Sequence, residues 1–492
     1  MQLPGTLGGG PRPSLGWNPG LTLAVLGALT LLLTGGCGRQ TPEHVIVILV
    51  DTMRADALGC YGNPAQPTPA MDAFAAEGSR FAYALSTSGW TAPAVASLLT
   101  GTWPTIHGAM GKGTAIRPIR PGLATAADVF RAAGYRTLAV ANAAFVSPQL
   151  DMDRGFEIYD HRHAYNWEIR RADATIDRAL ELLDEDPGAS AFLFIHIFDP
   201  HLNYDPPEEY RFRFTGGRRT PPPPLAMETC MELAGFEADT TTPDRAAHLG
   251  LGAPAPAEAI DYVRGVYQGE VAFVDTQIGR LVAALRARGL YDEATIVITA
   301  DHGEEFWEHG AFEHGHTLYD ELIHIPLLFK PPTTAGERDA AAPLVPLVES
   351  QVRIIDIMPT IFALHDLEAP ASFAGESFLP AMRGEALADR TVFCESTLYG
   401  GEKLVWRDGT HKYIYDMDPA TEDPYEFYNW REDPGELQNL FRQQVQQAHA
   451  FHERLAEFYQ GLKTQADALP PTEVRDMSPE QFESLKSLGY IR

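Results

Sequence analysis

Four short apolar runs set the pattern of this chain. They are VIVILVD (Val45–Asp51), TLAVAN (Thr137–Asn142), FLFIHIFD (Phe192–Asp199) and TIVITAD (Thr295–Asp301). Each is rich in Val, Ile or Phe, lacks polar alternation, and is too short for a buried helix. Such runs predict strands buried on both faces, as in parallel sheets. Between them lie helical stretches such as PAMDAFAAEG and AADVFRAAG, each stopped by glycine. Tyr262 to Arg288 also has helical periodicity. The alternation predicts an α/β fold, a doubly wound and mostly parallel sheet flanked by helices.

The pattern changes in three places. Arg213 to Pro256 carries GGRRTPPPP and GLGAPAPAEA and reads as an insertion (213–256), either a surface excursion or a lid. From residue 349 a smaller α+β part (349–492) begins, with IIDIMPTIFALH as a helix and VFCES as a strand. At the other end, Leu21 to Leu33 is an apolar run followed by TGGCGRQ. That run is short for a membrane span and reads as an export signal. The small residues before Cys37 resemble a bacterial lipobox, with Thr34 imperfect, so 1–37 is taken as signal peptide and lipobox. The expectation is an exported protein, periplasmic or tethered to the outer membrane through a lipidated Cys37. Cys60, Cys230 and Cys394 are odd in number and widely spaced, which implies neither a disulfide framework nor a zinc–thiolate site.

Charge narrows the partners. With 38 Lys+Arg against 66 Asp+Glu the formal net charge is −28. Such a chain repels nucleic acid in the mean. An anionic substrate would need local positive charge, and a bound metal supplies it. The sequence carries no signal for oligomeric state.

The ends of the strands supply the chemistry. The four runs finish in Asp51, Asn142, Asp199 and Asp301, and ligands in open α/β sheets bind beyond the carboxyl ends of the strands. Asp301 and His302, adjacent in TADHGEE, offer a carboxylate and an imidazole to a divalent ion, with Asp51 able to approach from the first strand. FIHIFDPH adds His196, Asp199 and His201; EHGAFEHGH adds His309, His314 and His316. Of these, His201, His302 and His314 are read as site residues. His196, His309 and His316 are balanced between support and structure. Thr91, in SGWTAPAVASLLTG, sits at a helix start, with Thr as cap and Pro in the first turn. A hydroxyl there lies beside free backbone N–H groups that can hold an oxyanion, and a coordinated metal can activate it as a nucleophile.

These stretches resemble the sulfatase-type branch of the alkaline phosphatase superfamily. The matching segments are VIVILVDTMRADALGCYG, TPAMDAFAAEGSRFAYALS, ASLLTGTWPTIHG, AGYRTLAVAN, YQGEVAFVDTQIGRL, TADHGEEFWEHGAFEHGHTLYDELIHIPLLF and DIMPTIFAL, with REDPGELQNL and LKSLGYIR near the end. The resemblance implies an alkaline-phosphatase-like fold with a catalytic domain over 44–348. It implies that Asp51, Asp301 and His302 bind a metal together with the nucleophile Thr91, and that His201 and His314 contact the anion or hold a second metal. It also marks departures. Thr91 occupies the position that sulfatases convert to formylglycine, and threonine cannot yield that aldehyde. The Ser and Arg of that motif are Ala94 and Val95, the second Asp of the usual Asp pair is Thr52, and Asn142 and Ala144 replace a Lys and a His. The changes are similar to the phospho branches, which use a Thr nucleophile and an Asn near the phosphoryl oxygen. The leading expectation is therefore hydrolysis of phosphate or phosphonate esters through a Thr91 intermediate. Asn142 would bind the non-bridging oxygens, and a second metal would sit on His201, His314 and Asp199. The alternatives are sulfuric ester hydrolysis without formylglycine and phospho-group transfer. The mixed ligand set suits Zn or Mn, one ion or two; a single Ca is the alternative.

Overall fold

The computed structural model describes residues 43–112, 115–162, 170–236, 255–333, 344–388, 390–479, 482–483 and 486. The expected leader and Cys37 lie outside the described residues. No helix among the described residues is long and apolar enough to cross a membrane.

The four apolar runs form strands β1 (His44–Val50), β3 (Arg136–Asn142), β5 (Ala191–Ile197) and β6 (Ala294–Ala300). Every residue of β1, β5 and β6 is buried, as strands covered on both faces must be. Around them run β2 (Ser79–Leu85), β4 (Ile158–Arg162), β7 (His324–Ile325), β8 (Leu327–Lys330) and β9 (Leu347–Arg353). The sheet order is β9-β2-β8-β6-β1-β5-β3-β4, with β7 beside β8 on β2. All pairs are parallel except those made by β7 and β8. β9 shows that the large sheet takes one strand from around position 350. A separate antiparallel sheet follows: β10 (Val392–Glu395), β11 (Lys403–Arg407), β12 (Lys412–Asp416) and β13 (Tyr425–Tyr428).

Register fixes what the sheet presents. Val50 of β1 lies opposite both Ile197 of β5 and Ala300 of β6. Asp51 and Asp301 are thus the first residues past two neighbouring, level strand ends. The Asp51 N–H still bonds the Ile197 carbonyl (2.9 Å), so its backbone is anchored to the sheet.

Three helices bear on the site: α1 (Thr91–Thr100), α2 (Ala172–Asp184) and α3 (Ala257–Ala287). All ten residues of α1 are buried. α3 begins five residues ahead of the expected Tyr262, and its Tyr267 hydroxyl ties the turn after β1 by donating to the Thr52 carbonyl (2.9 Å) and accepting the Arg54 N–H (3.0 Å). The described part of the expected insertion is anchored at a few points: Leu225 and Tyr204 exchange backbone hydrogen bonds, and Leu225, Cys230 and Met231 are buried. Cys60, Cys230 and Cys394 are free thiols.

Candidate active site

Thr91 is the first residue of α1, with Trp90 in extended conformation before it and no side-chain cap. The expected cap role is therefore not taken up. Pro93 has no N–H and the Ala94 N–H bonds the Trp90 carbonyl (3.4 Å), so the Thr91 and Ala92 N–H groups and the positive end of the helix dipole remain beside the hydroxyl. The Thr91 hydroxyl is buried and lies 3.2 Å from His302 Nε2.

His302 Nδ1–H donates to the Gly303 carbonyl (2.9 Å). In the neutral ring that leaves a lone pair on Nε2. Nε2 is also 3.6 Å from Asp51 Oδ1 and 3.5 Å from Asp301 Oδ2. Gly303 is required by close approach, because a Cβ there would stand 2.0 Å from the Glu321 carbonyl oxygen. Thr52, a β-branched residue directly after Asp51, is held at φ 52°. That is a strained conformation of the sort that collects at functional sites.

His196 completes the cluster. Its Nε2 lies 3.5 Å from Asp51 Oδ2, and Asp51, His196 and Asp301 each offer a ligand atom within 4.8 Å of the others. Both Asp51 oxygens, Asp301 Oδ2 and both His196 nitrogens are buried with no hydrogen-bond partner in the protein. Buried polar atoms without partners are costly, and carboxylates most of all. Their convergence fits a divalent cation held by Asp51, His196, Asp301 and His302. Two carboxylates and two imidazoles form a donor set suited to Zn or Mn. Electrostatics agree. Burial and the neighbouring Asp51 charge push the Asp301 carboxyl up to about 6. Burial also raises Asp51, but the closeness of His196 and the fields of His201 and His302 outweigh this, and its net direction is down. Two carboxylates this close resist joint ionisation unless a cation sits between them.

His314 and His201 border this cluster. The His302 and His314 ring centroids are 4.4 Å apart, and those of His314 and His201 are 5.0 Å apart. His314 Nδ1 is 2.8 Å from Glu304 Oε1, and Glu304 Oε2 accepts from the Tyr204 hydroxyl (2.9 Å). His201 Nδ1 donates to the Leu202 carbonyl.

Two expected residues stand elsewhere. Asn142 was implied to grip non-bridging oxygens. Its amide nitrogen instead donates to the His196 carbonyl (2.5 Å) and to Thr175 (3.3 Å). The remaining Oδ1 is an acceptor, which repels an anion, so Asn142 ties β3 to β5 behind His196. Asp199 does not join the Asp51 cluster. It faces a neighbouring cavity of about 130 Å³ with His201, Asn203, Arg171 and Glu270. Burial outweighs the field of Arg171 there and pushes its carboxyl up to about 6. His309 and His316 are structural: His309 pairs with Glu321 (2.6 Å) and His316 with Glu305 (2.8 Å). The group Glu305, His309 and Glu321 could also hold an ion. Its ligand atoms are already hydrogen-bonded to one another and to backbone N–H groups, so it leaves nothing for an ion to satisfy.

Sequence reading gave Glu304 no role, yet it is fully buried and orients His314. An acid two residues past His302 and flanked by a required glycine was the available signal. Glu304→Ala is expected to lower kcat about 10- to 100-fold, the usual size of losing a group that orients a site histidine. Steady-state kinetics on the folded variant check this, and an unchanged kcat contradicts it.

The Sulfatase family model matches residues 43–367, and the model described as N-sulphoglucosamine sulphohydrolase, C-terminal, matches residues 307–461. The uncharacterized sulfatase YidJ of Escherichia coli (strain K12) is 28% identical over 442 residues, covering 81% of this chain and 82% of that protein. Human iduronate 2-sulfatase is 24% identical over 396 residues, covering 68% and 71%. Among solved structures, a phosphonate monoester hydrolase from Silicibacter pomeroyi superposes with a TM-score of 0.62 at 23% identity, covering 87% of this chain and 96% of that one.

Proposed function

Because this chain belongs to the sulfatase family, in the alkaline-phosphatase-like superfamily of metal-dependent ester hydrolases, we propose that it cleaves phosphate or phosphonate esters with Thr91 as the nucleophile. One observation carries the reading: the Thr91 hydroxyl meets His302 Nε2 at 3.2 Å, and that same nitrogen lies 3.6 Å from Asp51 and 3.5 Å from Asp301, two members of the Asp51, His196 and Asp301 cluster. Asp51, His196, Asp301 and His302 would hold the metal, Zn or Mn by donor type. Such an ion supplies charge neutralisation for an anionic ester and lowers the pKa of a nearby hydroxyl.

Each remaining step belongs to the chain's own groups. Thr91 Oγ1, its proton given up to solvent, forms the bond to phosphorus while the bond to the leaving oxygen breaks and its electron pair stays on that oxygen. The first-turn N–H groups of α1 bind the non-bridging oxygens in place of Asn142. His201 and His314, across the site, would stabilise the leaving oxygen, and one of them, as imidazolium, would give it the Nε2 proton. Water then attacks phosphorus, giving a proton back to that histidine, while the bond from phosphorus to Thr91 Oγ1 breaks and Oγ1 regains a proton from solvent. Asp199 is set aside as a ligand, and this reading takes one metal at the Asp51 cluster. Export, with tethering through Cys37, is the reading of the leader that accompanies this assignment.

Sulfate-ester hydrolysis is the second reading, favoured by the Sulfatase family match and by the sulfatases among the relatives. Comparing kcat/KM on aryl sulfate, aryl phosphate and aryl phosphonate esters separates the two. The phospho reading expects the phosphonate or phosphate esters to be preferred. A preference for sulfate of more than about 100-fold, or 2.7 kcal/mol of transition-state binding, reverses the order.

A further inference from the structure

The cavity beyond His201 is lined by Arg171, Phe198, Asp199, His201, Asn203, Asp205, Pro224 and Glu270. Three of its polar atoms have no partner: Asp199 Oδ2, Asn203 Nδ2 and Glu270 Oε2. Their residues are 8%, 9% and 4% exposed, so water does not satisfy them freely. Glu270 is fixed from behind, its Oε1 accepting the Asp205 N–H (2.7 Å). The lining thus holds two acceptors and a donor with unused hydrogen-bonding capacity.

Charge decides what that is. Among the described residues neither Asp199 nor Glu270 forms an ion pair. The nearby Arg171 guanidinium lies 5.1 Å over the Phe273 ring and donates to the Asp205 carbonyl (3.1 Å). The Asp205 carboxylate is engaged by Arg211 (2.9 Å). Two buried carboxyl groups therefore lack a direct counter-charge; burial, and for Glu270 the neighbouring Asp199, push both upward, and a cationic ligand would relieve the cost of ionising them. A neutral polyol would make the hydrogen bonds but leave the charge. A quaternary ammonium would bring charge without N–H donors, and Phe198 alone is no aromatic cage for it. A primary ammonium brings both, with three N–H donors.

Position ties the cavity to the reaction. His201 lines it, and the rings of His201, His314 and His302 lead in succession to the Thr91 hydroxyl. We propose that this cavity receives the alcohol portion of the ester and that this alcohol carries a primary ammonium group, held by Asp199 and Glu270, while Asn203 donates to an oxygen of the same molecule. The proposal rests on the reading of the Thr91 centre as an ester hydrolase and names its leaving group as an amino alcohol.

Binding rather than turnover tests it. Ethanolamine, choline and ethylene glycol are titrated by calorimetry into the metal-loaded full chain at matched ionic strength, then into Asp199→Asn and Glu270→Gln. Unfolding curves first establish that each variant is folded. Ethanolamine is expected to bind at least tenfold more tightly than the other two, and each variant to weaken it about tenfold while leaving ethylene glycol within twofold. Equal binding of ethanolamine and ethylene glycol overturns the proposal. So does an absence of ethanolamine binding, or an ethanolamine preference that survives in both folded variants. Because no ester is cleaved in this assay, a failure of the hydrolase reading appears separately, as absent turnover of aryl esters.

Discussion

Thr91→Ala is expected to lose on the order of 10⁴-fold in kcat/KM while the fold and the bound metal persist. The size follows from what is removed. Without the hydroxyl no covalent route remains, and water must attack without a positioned oxygen. The flanking N–H groups of α1 and the cation site stay intact, so residual catalysis above the solution rate should survive, as it does when other enzymes lose a nucleophile but keep their electrostatics. Alanine is a good helix former at an already buried first position, so α1 should not unravel. Thr91→Ser keeps the hydroxyl and should retain far more activity than Thr91→Ala. Equal activity of Thr91→Ala and the parent protein would remove Thr91 from the chemistry.

Asp51→Asn is expected to cost about 10³-fold in kcat/KM through a different failure, loss of the ion. The substitution conserves shape and burial, but takes away the charge of a residue both of whose oxygens lack protein partners. It leaves one carboxylate where the donor set has two, and divalent affinity should fall with it. The same change has a thermal readout. An ion that binds only the folded protein stabilises it by RT ln(1 + [L]/Kd), about 2.7 kcal/mol at a hundredfold excess over Kd. Adding Zn or Mn to chelator-stripped parent protein should raise Tm by several degrees, and the same addition to Asp51→Asn should raise it much less. Equal Tm shifts in the two proteins would place the ion elsewhere.

The parts of this site that were legible in the sequence share one property: they terminate apolar runs. Asp51 and the Asp301–His302 pair follow directly on strands that register side by side, so their convergence could be inferred before any coordinates. His196 was harder because it lies inside its strand, one residue before the end, where an imidazole looks like one more buried side chain. The clue was the cost of burying an unpartnered ring in an otherwise apolar strand. Asn142 was misread for the opposite reason. Its position at a strand end matched a ligand, but the amide is used by the carbonyl of the neighbouring strand, a contact that only tertiary structure reveals. Asp199 likewise ends an apolar run but lies two residues beyond β5, far enough to turn into the next cavity.

The same limit applied to the fold. The central parallel strands declared themselves by unbroken apolarity. β2, with a mixed burial pattern, and β7 and β8, divided at Pro326, are strands because of their partners rather than their own composition. α3 outran its periodic segment for a related reason. Its first turn follows Pro256 and opens with the exposed Ala257 and Glu258, so it has little amphipathic pattern to display.

The most direct test is to quench the metal-loaded enzyme during turnover of a slow aryl phosphonate or phosphate ester and map the adduct by peptide mass spectrometry. The account predicts a phosphonyl or phosphoryl group on the Thr91 hydroxyl, rising with the burst of released phenol and absent in Thr91→Ala. Turnover with a clear burst and the adduct on any other residue would contradict it.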